Sequence, residues 1–154
     1  MYQTTLVFKK KYQTFYGLRY NDHNFKDMYF DFMEQKKRIG VSFDVTLQYF
    51  LDKCGRVEAS FSSKLVATID PKIPIWDFNV LRSLGLKAPY TYCKDRIVKT
   101  IIIYNKICDH YRELFKTGEA DAYLKEFDRI FKNVDISDTK KIDFMIWAKN
   151  VIQK

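Results

Sequence analysis

Glycine and proline are scarce, with 5 and 3 residues in a chain of 154. A sandwich or barrel of many short strands needs turn residues at every reversal, so this scarcity argues against that class and for helices. Cysteine is as sparse. Cys54, Cys93 and Cys108 are odd in number and form no C-x-x-C pair, and the two histidines, His23 and His110, are too scattered to complete a zinc site with them. No metal or cofactor is expected. Such cysteine usage fits a reducing compartment, the cytoplasm. Long apolar runs are missing too. The run "IIIY" at 101–104 falls far short of a membrane span, and Lys9-Lys10-Lys11 would interrupt the apolar region of a signal peptide. No membrane partner is expected. Internal repeats and low-complexity linkers are also lacking, so residues 1–154 are expected to form one domain around one core.

What the chain does have is apolar mass and positive charge. Hydrophobic residues make up 47%, and aromatics reach 17%, with 11 Tyr and 13 Phe, enough to build a real core. Basic residues number 27 against 19 acidic, a net charge of +8. A basic surface attracts polyanions, nucleic acid first and anionic membrane second. The tight basic runs are Lys9-Lys10-Lys11 and Lys36-Lys37-Arg38, which serve as well for an ordinary solvated face.

Apolar spacing predicts helices along most of the chain. Residues 25–37 place Phe25, Met28, Tyr29, Phe32 and Met33 on one face. Residues 42–52 open on Ser42 as a capping residue and carry Val45, Phe50 and Leu51. Residues 56–69 carry Phe61, Leu65, Val66 and Ile69, and Asp70-Pro71 ends them. A short helix over 78–84 has Asp77 as N-cap and Gly85 as its stop. Residues 94–116 hold the longest pattern, with Ile97, Val98, Ile101, Tyr104, Ile107, Cys108, Tyr111, Leu114 and Phe115 at helical period. That stripe predicts a central helix ending at Gly118. Residues 119–133 follow with Ala120, Tyr123, Leu124, Phe127, Ile130 and Phe131, and residues 138–150 point Ile142, Met145, Ile146 and Trp147 inward. The first 20 residues fit either a helix or a short edge strand. The expected fold is an all-α domain of six to eight helices.

One stretch raises a question of chemistry. In "SSKLVATIDPKIPIWDFNVLRSLGLK", residues 62–87, a helix stops at Asp70-Pro71, a second proline follows at Pro74, and a lone acid, Asp77, opens the next helix. Just upstream lies "LDKCGRVEA", residues 51–59. Together they resemble the helix-hairpin-helix DNA glycosylase superfamily and a small, divergent bacterial branch of it. That family's hairpin reads L-P-G-V-G-R-K-T-A, and a proline-containing loop then leads to V-D-T-H-V with a catalytic aspartate. Leu51, Gly55, Arg56 and Ala59 match the hairpin, and "PIWDFNV", residues 74–80, puts Asp77 in the catalytic place. The resemblance covers about 40 residues, within a hairpin, Pro-rich loop and Asp region over 42–85. The hairpin is degenerate, because Asp52-Lys53 stand where the family has Pro-Gly. Cysteines for an iron–sulfur loop are absent.

The resemblance implies a compact multi-helix domain of the glycosylase type and monofunctional removal of a DNA base. Positive charge develops on the sugar as the base leaves, and an ionised, fixed carboxylate can stabilise it or orient a water. Asp77 would take that role at a helix N-terminus. Val57 stands where bifunctional members hold the lyase lysine, and Lys64 lies two turns further on, roughly 10 Å along the helix, so intact strands are expected. Lys53, Gly55 and Arg56 would hold a DNA phosphate with little sequence specificity. Trp76, Tyr90 and Tyr92 would line a pocket for the flipped base. Each residue has a plainer role available. Asp is among the best N-caps, a Trp beside a helix start packs in cores, loop tyrosines cover core edges, and Lys53 to Arg56 suit any inter-helix turn. The other function class is a glycosylase fold without catalysis, a DNA- or protein-binding module. A ribonuclease, lacking a paired His or His/Lys set, ranks last.

Overall fold

The computed structural model describes residues 5–18 and 22–152. Eight helices run in the order α1 (Leu6–Tyr16), α2 (His23–Lys36), α3 (Phe43–Cys54), α4 (Ala59–Ile69), α5 (Phe78–Ser83), α6 (Arg96–Thr117), α7 (Ala120–Ile130) and α8 (Asp138–Ile152). Among the described residues there is no strand, and the helices pack as one domain. The N-terminal stretch resolves to a helix from Leu6. Thr5 caps it by accepting the Phe8 N–H, and Gly17 closes it in the left-handed region at φ 65°. Residues 1–4 and 19–20 of that stretch lie outside the described residues.

Local stop signals set the helix ends. Asp70 terminates α4 ahead of Pro71, and Gly118 terminates α6 at φ 80°. Ser42 occupies the N-cap of α3, yet its side chain makes no capping hydrogen bond.

Two apolar clusters share the α3–α4 hairpin. One joins α1, α2, α3 and α4 through Tyr12, Phe25, Tyr29, Phe30, Met33, Phe50 and Leu65. Aromatic packing dominates it, with Tyr29 stacked on Phe50 at 5.5 Å between ring centroids. The buried Tyr29 hydroxyl is satisfied by the Tyr12 hydroxyl at 2.8 Å and by donating to the Phe61 carbonyl at 2.9 Å. Burying each such ring contributes roughly 1.5–3 kcal/mol, provided its polar end finds a partner. The other cluster gathers Phe43 and Leu47 of α3, Trp76, Val80 and Leu81 around α5, Tyr104, Ile107, Tyr111 and Leu114 of α6, Ala120 of α7, and Ile142 and Ile146 of α8.

Several apolar residues face outward instead of inward. On α6 the buried seam is Thr100, Tyr104, Ile107, Tyr111 and Leu114, while Val98, Ile102 and Phe115 are exposed. The helix therefore packs along a narrow seam of alternating four- and three-residue steps and is not enclosed at the centre. Val45, Ile130 and Phe131 are exposed as well, and Trp147 is half open to solvent.

Candidate functional site

The site is built around the loop between α4 and α5. Asp70 folds its start into a turn by accepting the Lys72 N–H at 3.1 Å, the local habit of Asx residues before a reversal. Three helices then hold the loop by side-chain hydrogen bonds. Ser63 of α4 accepts the Trp76 N–H at 2.8 Å. Tyr104 of α6 donates to the Pro74 carbonyl at 2.8 Å. Asp143 of α8 accepts from the Ile75 N–H. Ser137 and Thr139 add bonds to the Pro71 and Lys72 carbonyls. Pro74 and Trp76 are buried, so the backbone there must be satisfied in some such way, and six side chains, Asp70 included, bond to the loop.

Asp77 follows immediately and caps α5. Its backbone is extended, and its carboxylate accepts the Asn79 N–H at 2.8 Å. The residue is only partly buried and borders a cleft of about 410 Å³ between α1, α4, the α5 start and α8. Lys64, Lys140 and Asp143 border the same cleft, and Tyr16, Phe15, Phe144 and Trp147 form its aromatic wall.

The charges in this cleft interact. Asp143 is almost wholly buried and accepts the Tyr111 hydroxyl at 2.7 Å, with Lys140 Nζ 3.4 Å from its other oxygen. Burial pushes its carboxyl up to about 6, against the opposing pull of Lys140, the Tyr111 hydroxyl and the Ile75 N–H. Tyr111 is in turn held well above the usual phenol range by burial and then by the Asp143 charge. Lys64 donates to the Tyr16 carbonyl at 3.3 Å and lies over the Tyr16 and Phe61 rings at 5.6 and 5.4 Å. Burial lowers the proton affinity of its amine, the nearby Asp77 carboxylate raises it, and Lys140 lowers it again. A second depression, of about 380 Å³, includes Asp44, Asp70, Tyr104 and Cys108 in its lining and no Lys or Arg among the described residues.

The structure separates the other sequence-predicted residues from this cleft. Trp76 is 6% exposed and belongs to the core, so neither ring face is open to a stacked base. Tyr90 and Tyr92, 86% and 98% exposed, project from the loop after α5 and do not border the cleft. Lys53 is exposed. Gly55 takes φ 67° and spends its N–H on the Leu51 carbonyl at 2.8 Å, so that donor is not offered to a phosphate. Arg56 pairs with Glu58 at 3.1 Å and lies over the Phe25 ring at 5.2 Å.

Lys64, Lys140, Asp143 and Trp147 are the cleft residues that sequence reasoning missed as site residues. A signal was present for two of them. Lys64 is the only charged residue in the eleven of α4, and a helix without a polar face is buried, so its charge must be accommodated. Asp143 interrupts the apolar run of "IDFMIW", an unfavourable place for an unpartnered acid.

Among the described residues, no group of three or more His, Cys, Asp or Glu side chains is placed to hold a metal ion, and no helix is long and apolar enough to cross a membrane. Comparison with protein-family models, with curated proteins and with solved structures finds no match to this chain.

Proposed function

We propose that this chain is a DNA N-glycosylase that removes a base from a flipped nucleotide, with Asp77 as the charge-stabilising carboxylate. One observation carries the reading. Asp77 is fixed by its cap bond, borders an aromatic-walled cleft, and sits at the end of a loop pinned by α4, α6 and α8. A cap alone needs one hydrogen bond to the next turn. A carboxylate that must meet a transient cation needs a fixed position and an open face. In the reaction the C–N bond breaks with its electron pair leaving on the base. Asp77 faces the cation at the anomeric carbon and orients the water that adds there. The base lies against the Tyr16, Phe144 and Trp147 side of the cleft. In this proposal the α3–α4 hairpin, the proline loop and α5 correspond to the hairpin–loop–aspartate unit of helix-hairpin-helix glycosylases. The binding partner is DNA, contacted with little sequence preference. Cys54, Cys93 and Cys108 are free thiols, which suits action in the cytoplasm.

The test is release of free base from duplexes carrying uracil, oxidised or alkylated bases, read as alkali-labile sites. Wild type is expected to act on at least one of them and Asp77→Asn on none. The second reading is a non-catalytic DNA- or protein-binding module on the same fold. The internal commitment of the Gly55 N–H and of Arg56 favours it. Wild type that leaves every lesion duplex intact selects that reading.

A further inference from the structure

We infer that Lys64 is an activated amine that forms an imine with an aldehyde bound in the Asp77 cleft. Val57, at the hairpin position, has no amine, so the group is a different one in a different place. Lys64 reaches the cleft from α4, and its residue is 9% exposed. An ammonium has three donors, yet among the described residues Lys64 makes one hydrogen bond, the 3.3 Å contact to the Tyr16 carbonyl, and no ion pair. Two aromatic ring faces and the Asp77 carboxylate favour its charge, whereas burial and the like charge of Lys140 oppose it. Burial outweighs the supporting groups, and the proton affinity of the amine is lowered. Desolvation together with a neighbouring cation is the setting in which a lysine becomes a nucleophile at neutral pH.

The step balances without an added oxidant or reductant. The nitrogen lone pair attacks the carbonyl carbon, an N–C bond forms, and the π electrons move to oxygen. A proton passes from nitrogen to that oxygen, and the Asp77 and Asp143 carboxyl groups in the same cleft can carry it. Loss of water leaves the C=N bond. The aldehyde has two possible sources. One is the ring-opened sugar of an abasic nucleotide, which rests on the glycosylase reading. The other is a free small aldehyde, which does not.

The test uses the full chain with benzaldehyde and cyanoborohydride at neutral pH, and maps the reduced adduct by peptide mass spectrometry. Lys64 is expected to be modified several-fold faster than any other lysine. Lys64→Gln, which keeps an uncharged donor for the Tyr16 carbonyl, is expected to stay folded by circular dichroism and to lose the fast adduct. Modification of Lys64 no faster than the exposed Lys53 or Lys116 overturns the inference. A parallel reaction traps protein on a duplex containing an abasic site with borohydride. A covalent product at Lys64 identifies the sugar aldehyde as the ligand. A benzaldehyde adduct without a DNA adduct supports the aldehyde site with a free aldehyde as its ligand. A Lys64 adduct in a protein that releases no base sets the glycosylase reading aside and leaves the amine.

Discussion

At Asp77 one carboxylate caps a helix and borders the cleft, and substitution can separate the cap from the proposed chemistry. The cap bond is the one it accepts from the Asn79 N–H at 2.8 Å. Asn caps a helix nearly as well as Asp, whereas Ala costs about 1 kcal/mol. Asp77→Asn should therefore keep the melting temperature of wild type and lose base release, and Asp77→Ala should lose both. Thermal melts beside an alkali-cleavage assay check this. Equal activity of Asp77→Asn and wild type would leave the residue a cap. Asp143 makes a separate prediction about pH. Its folded carboxyl is raised to about 6 from the ordinary 3.8, so the native state holds this proton more tightly than the unfolded chain does. Stability from this residue is present below the ordinary carboxylate range and is lost as pH rises to about 6. A two-unit difference corresponds to roughly 3 kcal/mol. Asp143→Asn removes this dependence. The melting temperature of the variant relative to wild type should be higher at pH 7 than at pH 4. A flat difference across that range counts against a strained, buried carboxylate.

At the scale of elements, the loop before α5 is the part whose design is least expected from its composition. Ser63 and Tyr104 hold it from α4 and α6. Ser63→Ala leaves the buried Trp76 N–H without its acceptor, at a cost of about 1–3 kcal/mol. Tyr104→Phe leaves the Pro74 carbonyl short of a donor at a similar cost, while its ring can keep the 3.7 Å stack on Phe43. Both variants should stay folded by circular dichroism, and both should lose more base release than their melting shift accounts for, because a displaced Asp77 forfeits alignment. Activity that falls only in proportion to the folded fraction would reduce the loop to scaffold. Elements of this kind differ in how far a sequence reveals them. The stops at Asp70-Pro71, Gly85 and Gly118 were legible, because a proline or a left-handed residue acts within one turn. Asp77 was legible as a cap for the same reason. The cleft was not, because Lys64, Asp77 and Asp143 come together only where α4, the loop and α8 converge, and no local spacing encodes that meeting. Trp147 shows the same limit. Its place at helical period with Ile142 and Ile146 looks like core, and the structure turns it to the cleft edge.

For the whole molecule, the question is where a chain of net charge +8 would meet DNA. Internal pairing removes several cations from contention. Lys37 pairs with Glu34, Arg56 with Glu58, Arg129 with Glu126 and Lys141 with Asp128. The N-terminal basic run lies on α1, the helix whose end borders the cleft. Lys10 and Lys11 are exposed on α1, one turn before Thr14 and Phe15, which border the cleft. Residues four apart share a helix face, so these two lysines lie on the face of α1 that borders the cleft. A duplex bound there should lose affinity steeply with salt, by about −0.9 in the logarithmic slope for each phosphate neutralised. Changing both Lys10 and Lys11 to Gln should flatten that slope by about two units. Changing Lys53 to Gln should alter it little, since the hairpin donor beside it is already committed. Fluorescence anisotropy of a labelled duplex between about 50 and 200 mM salt resolves these slopes. If Lys53→Gln is the variant that flattens the slope, DNA enters by the hairpin and the cleft is approached from another side. Affinity indifferent to salt would remove the electrostatic basis for nucleic acid as the partner, and with it the reason to expect a flipped nucleotide in front of Asp77.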